Sequence, residues 1–191
     1  MPCHSDSPRA ALPAAMHVFG LAGWSRAGKT TLLRRLIPEL RRRGLRVSTL
    51  KHAHHSFDVD QPGKDSWEHR EAGAEQVLVA SAARWALMHE LRGADEPALA
   101  SLLAHMTPVD LVLIEGFKRE NHPKMEVHRV ANGKRLLHPD DPSIVAVAAD
   151  VELPGVAIPV LHLDDVTGIA DLAQRCAMPA NGVDWGARPD D

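Results

Sequence analysis

Residues 23–30 read GWSRAGKT: a glycine, four residues, then glycine, lysine and threonine. The chemistry of that spacing is the capture of a polyphosphate. Gly23 and Gly28 let the main chain through Trp24, Ser25, Arg26 and Ala27 curl closely round the phosphates. Successive N–H groups and the positive end of the following helix then face the phosphate oxygens. Lys29 reaches the terminal phosphates and Thr30 offers its hydroxyl to Mg2+. Such a loop reads phosphates. It leaves open which base is bound and whether the nucleotide is hydrolysed, transferred or held.

A phosphate loop works only between a strand and a helix, and the flanking sequence supplies both. The apolar run 16–22 has strand character, and residues 31–43 carry Leu32, Leu33, Leu36, Ile37 and Leu40 at helical spacing. Gly44 stops that helix, and a second strand over 45–50 delivers Lys51, His52, His54 and His55 at its end. A loop through Asp58, Asp60, Pro62 and Gly63 leads to a short helix beginning near Asp65. Residues 76–81 and 84–89 form two short strands close enough in sequence to pair, followed by a helix over 96–106. The most apolar strand is 109–116; further strands follow at 124–130, 144–148 and 160–163, and a helix over 166–175 closes the domain. This alternation predicts an α/β fold, a three-layer P-loop NTPase architecture with a mostly parallel sheet. Ligands of such sheets bind at the carboxyl ends of the strands. The glycine loop, the 51–55 cluster and Glu115 all fall there.

Other residues admit two readings each. Leu111, Val112, Leu113 and Ile114 precede Glu115 in the arrangement by which a Walker B acid organises Mg2+; otherwise Glu115 caps a buried strand. Asp58 and Asp60, two apart on an extended segment, point the same way. They complete the magnesium shell, orient an attacking water, or belong to a solvated loop. His52, His54 and His55 lack the four-ligand spacing of a structural zinc site, so hydrogen bonds to phosphate or to the Asp58/Asp60 loop are expected. Lys64 contacts a second anionic ligand or is solvated, and Arg41, Arg42 and Arg43 offset the helix dipole on a solvated face. Asp150 ends a strand where a base would lie. Its carboxylate can accept both N–H groups of a guanine edge, against the alternative of an ordinary strand-end aspartate.

Bulk properties narrow the class. The 191 residues carry a formal charge of −3, which gives no reason to expect nucleic acid or an anionic membrane as partner. No apolar stretch approaches a membrane span, and the first residues lack the pattern of a signal peptide, so a cytoplasmic protein with reduced Cys3 and Cys176 is expected. Residues 1–14 read as a disordered extension, 15–175 as the phosphate-binding domain and 176–191 as a disordered tail.

Four stretches together carry a resemblance: GWSRAGKTTLL, KHAHHSFDVDQPGKDSWEHREAGA, RWALMHE and DLVLIEGFKRENHPKMEVHR. The chain resembles the molybdopterin-guanine dinucleotide biosynthesis protein B family over residues 16–175. The resemblance implies a homodimeric GTP-binding protein with weak GTP hydrolysis. In that family's pathway it serves as an adapter to the molybdenum cofactor guanylyltransferase and to the molybdenum-insertion enzyme. By position, Gly23, Gly28, Lys29, Thr30 and Thr31 hold phosphates and Mg2+, and Glu115 is the Walker B acid. Residues 51–66 and 116–124 form a further polar surface, for molybdopterin or for protein. The competing reading is an ATP-dependent small-molecule kinase or ligase. It wants an arginine-bearing lid, with Arg26, Arg70 and Arg119 as candidates.

Overall fold

The computed structural model of the chain describes Leu12, residues 15–53 and residues 57–185. In chain order the first elements are β1 (His17–Ala22), α1 (Lys29–Arg42), β2 (Val47–Lys51), α2 (Asp65–Glu71), β3 (Gln76–Ala80) and β4 (Trp85–His89). They are followed by α3 (Leu99–Ala104), β5 (Leu111–Glu115), β6 (Lys124–His128), β7 (Ile144–Ala149), β8 (Val160–His162), α4 (Val166–Cys176) and β9 (Met178–Pro179). The chain divides into a larger unit, residues 1–52 with 99–191, and a smaller one, residues 53–98.

The larger unit is built on a sheet of order β2-β5-β1-β6-β7-β8, every neighbour parallel. Parallel strands are covered on both faces, which is why β1 and β5 are apolar nearly throughout. Their alternate side chains part company. Phe19, Leu21, Leu111 and Leu113 meet Leu32, Leu33, Leu36 and Leu40 of α1 and Ile169, Ala170 and Leu172 of α4 on one face. Each leucine fully buried on α1 contributes about 1.5–3 kcal/mol. Val18, Val112 and Ile114 turn the other way, onto Leu99, Ala100 and Leu103 of α3. The expected three layers are present. The run of arginines at the end of α1 does more than face solvent: Arg43 donates to Glu39, to Asp171 and Gln174 of α4, and to the Thr167 carbonyl, tying the two helices together.

The tail departs from expectation. β9 pairs antiparallel with the first residues of β1, His17 against Pro179 and Val18 against Met178, where β6, which joins β1 from Gly20, does not reach. Ala180, Val183 and Trp185 are buried beyond it, and the Trp185 indole donates to the Ala180 carbonyl at 2.8 Å. The expected disorder over 176–191 is therefore corrected as far as Trp185; residues 186–191 lie outside the described residues, as do 1–11, 13 and 14 of the expected N-terminal extension. The segment escapes a periodicity reading because three buried side chains, Ala180, Val183 and Trp185, spaced among prolines and glycines have no regular period. What orders it is the apolar face of β1 and β5, which α3 does not cover alone.

The smaller unit consists of α2 and the antiparallel β3–β4 hairpin, with Leu78 opposite Leu87 and Ala80 opposite Trp85. Among its described residues only Val77 is buried. Its polar centre is Arg70, whose guanidinium donates to Asp58, Asp60 and Glu90.

Candidate functional site: the glycine loop and its flanking strands

The loop between β1 and α1 depends on its glycines for specific steric reasons. Gly23 has φ 140°, and a Cβ there would lie 2.4 Å from the Val127 carbonyl oxygen of β6. Gly28, at φ 99°, precedes the first helical residue, and a Cβ would meet Arg129 Nε at 3.1 Å. Between them Arg26 takes φ 64°, and the Ala27 N–H donates to the Trp24 carbonyl at 3.2 Å. Ser25 and Arg26 are exposed and Ala27 is buried. The Lys29 ammonium arches back over the loop to the carbonyls of Gly23 and Trp24, at 2.9 and 3.0 Å. Burial holds its pKa below the usual lysine value; Glu115 opposes that shift, while Lys118 and Lys51 add to it. Three ammonium groups round one carboxylate leave a surplus of positive charge, the electrostatic complement of a polyphosphate.

Sheet order puts Glu115 beside this loop. β5 is the direct neighbour of β1, with Glu115 opposite Leu21, and β2 sets Lys51 opposite Glu115 on the other side. The Thr30 hydroxyl donates to the two oxygens of the Glu115 carboxylate at 3.2 and 3.4 Å, and Lys51 Nζ stands 3.7 Å away. Thr31 is exposed on the first turn of α1. A hydroxyl and a carboxylate brought together are hard oxygen donors of the kind Mg2+ takes, one or two from protein and the rest from water and phosphate. The donor set fits that ion.

The strand on the other side of β1 corrects an expectation: the 116–124 stretch, expected to form polar surface, ends in the fully buried His122 and Lys124. Along β6, Met125 and Val127 enter the main core, while Lys124, Glu126 and His128 are buried on the opposite face. Charged side chains are rarely buried without partners, and here they anchor loops. Lys124 Nζ donates to the carbonyls of Lys118 and Glu120, with the Asp141 carboxylate 3.6 Å away. Glu126 accepts the N–H groups of Leu137 and His138 at 2.9 to 3.0 Å. Both anchored loops return to Trp24. Lys118 Nζ lies 5.0 Å and Lys134 Nζ 5.8 Å from the centre of its ring, and its indole N–H donates to the Arg135 carbonyl at 2.8 Å. Asn132 also donates to the Ser25 carbonyl, at 3.3 Å. The signal for this arrangement was present as an alternation of charged and apolar residues over 124–128.

His122, in the first of these loops, is fully buried against Gly20, where a Cβ would lie 2.4 Å from its Nε2. Burial, reinforced by Lys124, lowers its pKa to about 3, so the imidazole is neutral in the folded protein. Neither ring nitrogen has a hydrogen-bond partner among the described residues. Burial likewise raises the pKa of Glu120, one of whose oxygens is buried without a partner among the described residues.

The remaining candidates separate. Asp150 accepts the Val130 N–H at 3.1 Å and stands 3.6 Å from Arg129, the residue that lies against Gly28. Its link to the glycine loop thus passes through an arginine that sequence reasoning did not single out. Asp58 and Asp60 both accept from Arg70 within the smaller unit, and Asp60 also accepts from Ser66 at 2.7 Å. The Asp58 carboxyl is held below its usual pKa, chiefly by the Asp60 N–H and also by Arg70. The same contacts occupy Arg70, one of the lid candidates. His52 stacks on Phe117 with ring centres 4.8 Å apart, and His54 and His55 lie outside the described residues.

Comparison with known proteins bears on this site. A family model described as molybdopterin guanine dinucleotide synthesis protein B matches residues 18–150, which include the glycine loop, Glu115 and β6. The chain is 44% identical over 171 residues to the molybdopterin-guanine dinucleotide biosynthesis adapter protein of Escherichia coli K12, covering 86% of this chain and 95% of that one. It is 42% identical over 161 residues to the protein of the same name from Haemophilus influenzae, covering 83% and 88%. Among solved structures, a MobB protein homolog from Bacillus stearothermophilus superposes with a TM-score of 0.60 at 27% identity, over 83% of this chain and 98% of that one.

Proposed function

Because the chain belongs to the molybdopterin guanine dinucleotide synthesis protein B family, we propose that it is a GTP-binding adapter in the assembly of the molybdopterin guanine dinucleotide cofactor. The observation that carries this reading is the convergence of Lys29, Thr30 and Glu115 on one glycine loop. Lys29 and the loop N–H groups bind the phosphates of GTP, and Thr30 and Glu115 would hold Mg2+, which would supply positive charge to neutralise the phosphates. Thr31 adds a hydroxyl to the first turn of α1. Asp150, steadied by Arg129, is the candidate reader of the guanine edge. Hydrolysis is weak in this reading. Asp58 and Asp60 are engaged with Arg70, and no glutamine stands in the motif as an evident water-positioning residue.

The adapter acts in the cytoplasm as a homodimer, with the molybdenum cofactor guanylyltransferase and the molybdenum-insertion enzyme as partners and molybdopterin as a further ligand. Support for a partner surface governed by the nucleotide lies in the 116–124 loop, which begins at Glu115 and places Lys118 over Trp24 of the glycine loop. A partner that binds the GTP form more tightly tightens GTP binding by the same factor. The test is calorimetry of this protein with the guanylyltransferase in the presence of GTP, of GDP and of neither. Tightest association with GTP is expected. No association in any state, together with rapid phosphate transfer from ATP to a small acceptor, would assign the chain to the kinase class instead.

A further inference from the structure

The buried face of β6 has a consequence for what the glycine loop discriminates. Lys118 is carried on a turn that the sequence makes rigid from several sides. Gly116 takes φ 96°, with His52 Cβ only 2.8 Å from where its own Cβ would stand. Phe117 takes φ 46°, a region costly for a bulky residue, and is held against the His52 ring. The fully buried Lys124 then grips the Lys118 carbonyl at 3.1 Å. The turn is thus fixed at the backbone of Lys118 while its side chain projects over Trp24, the second residue of the glycine loop. A cation on an indole face gains roughly 0.5–1 kcal/mol at an exposed site. That is less than a charge-assisted hydrogen bond to an anion contributes.

Trp24 is also the residue whose carbonyl receives Lys29, the lysine that reaches the terminal phosphates in such loops. Lys118 and Lys29 therefore both meet Trp24, one at its ring and the other at its carbonyl, near enough for their charges to act on each other. We propose that Lys118 is a second phosphate-binding lysine, which leaves the Trp24 ring for the terminal phosphate of a bound nucleoside triphosphate and makes the site favour triphosphate over diphosphate. Lys124 acts as its positioning residue. The charge of Lys118 already reaches Lys29, adding to the lowering of its pKa, and a terminal phosphate between the two ammonium groups relieves that repulsion.

This inference rests on the nucleotide-binding reading, and the experiment separates the two. The affinities of GTP and GDP in Mg2+ are measured by calorimetry for the parent, Lys118→Met and Lys118→Arg. In the parent GTP binds more tightly than GDP. In Lys118→Met the GTP affinity falls by about tenfold or more, the scale of a lost charge-assisted hydrogen bond, while GDP affinity stays within about threefold. Lys118→Arg, which keeps the charge, recovers most of the preference for GTP. An unchanged GTP-to-GDP ratio in Lys118→Met overturns the proposal. An equal loss for both nucleotides also overturns it, because Lys118 would then support the loop and not the terminal phosphate. A parent that binds neither nucleotide fails at the level of the functional reading itself, and this inference falls with it.

Discussion

The two units of this chain differ in how they are held together. In the larger one, β1 and β5 are buried along their length and both faces of the sheet are covered, by α1 and α4 on one side and by α3 with the C-terminal segment on the other. In the 53–98 unit a single described residue, Val77, is buried. Its order comes from ionic and polar contacts instead: Arg70 gathers Asp58, Asp60 and Glu90, and Arg92 donates to the carbonyls of Arg70 and Ala74. Arg70 and Asp60 are largely shielded from solvent, so the attraction between them must first offset the desolvation of both charges. A two-stranded hairpin with no apolar cover is marginal in water. Yet one face of the hairpin is apolar, with Leu78 at 60%, Trp85 at 64% and Leu87 at 45% exposure. The contrast teaches that the larger unit buries its own apolar surface, while the smaller leaves one face of its hairpin exposed, a candidate seam for the homodimer proposed above.

The largest effect that would break this contrast is on assembly. Replacing both Leu78 and Leu87 with glutamate sets charges on opposed positions of the exposed face. Sedimentation velocity is expected to show a dimer for the parent and a monomer for the double variant, with GTP affinity unchanged because the glycine loop lies in the other unit. A double variant that remains dimeric removes the hairpin from the interface.

A smaller effect probes the larger unit. His122 is neutral in the fold, with a pKa of about 3 against an ordinary 6.5. Between those values the unfolded chain binds a proton that the native state does not, so stability falls as pH drops from about 6.5 toward 3. At pH 5 the loss from this one group is about 2 kcal/mol. In His122→Leu the difference in unfolding free energy between pH 7 and pH 5 should shrink by about that amount. If denaturant titrations give parent and variant the same pH dependence, His122 is protonated in the fold and its burial is misjudged.

How much of this was legible beforehand follows from the kind of signal each part emits. The glycine loop, the apolar strand ending in Glu115 and the alternation of strands and helices are local patterns, and they predicted the mostly parallel sheet with the loop and Glu115 at its carboxyl edge. Asp58 and Asp60 were equally visible, but their meaning depended on Arg70, ten and twelve residues away, and a carboxylate pair looks the same beside an arginine as beside a metal. Lys118 and Arg129 fall inside a stretch that carries the resemblance, yet nothing local gives their roles, and Lys134 lies outside every motif. They matter because β6 lies next to β1, and strand adjacency is set by packing across the whole sheet. The C-terminal segment was misread for a related reason. Its order comes from covering β1 and β5, a requirement of distant residues that nothing within 176–185 announces.

The claim on which the rest depends is that the glycine loop binds GTP through Lys29. Its ammonium donates only to loop carbonyls in the hydrogen bonds described, so removing it leaves the sheet untouched. Calorimetric titration of GTP into the parent and into Lys29→Ala, both in Mg2+ and both checked for an unchanged thermal transition, tests the claim directly. The account predicts that the folded variant loses GTP affinity by about tenfold or more, the contribution of a charge-assisted hydrogen bond at roughly 1.5–3 kcal/mol. Equal GTP affinity in a folded Lys29→Ala protein would contradict it.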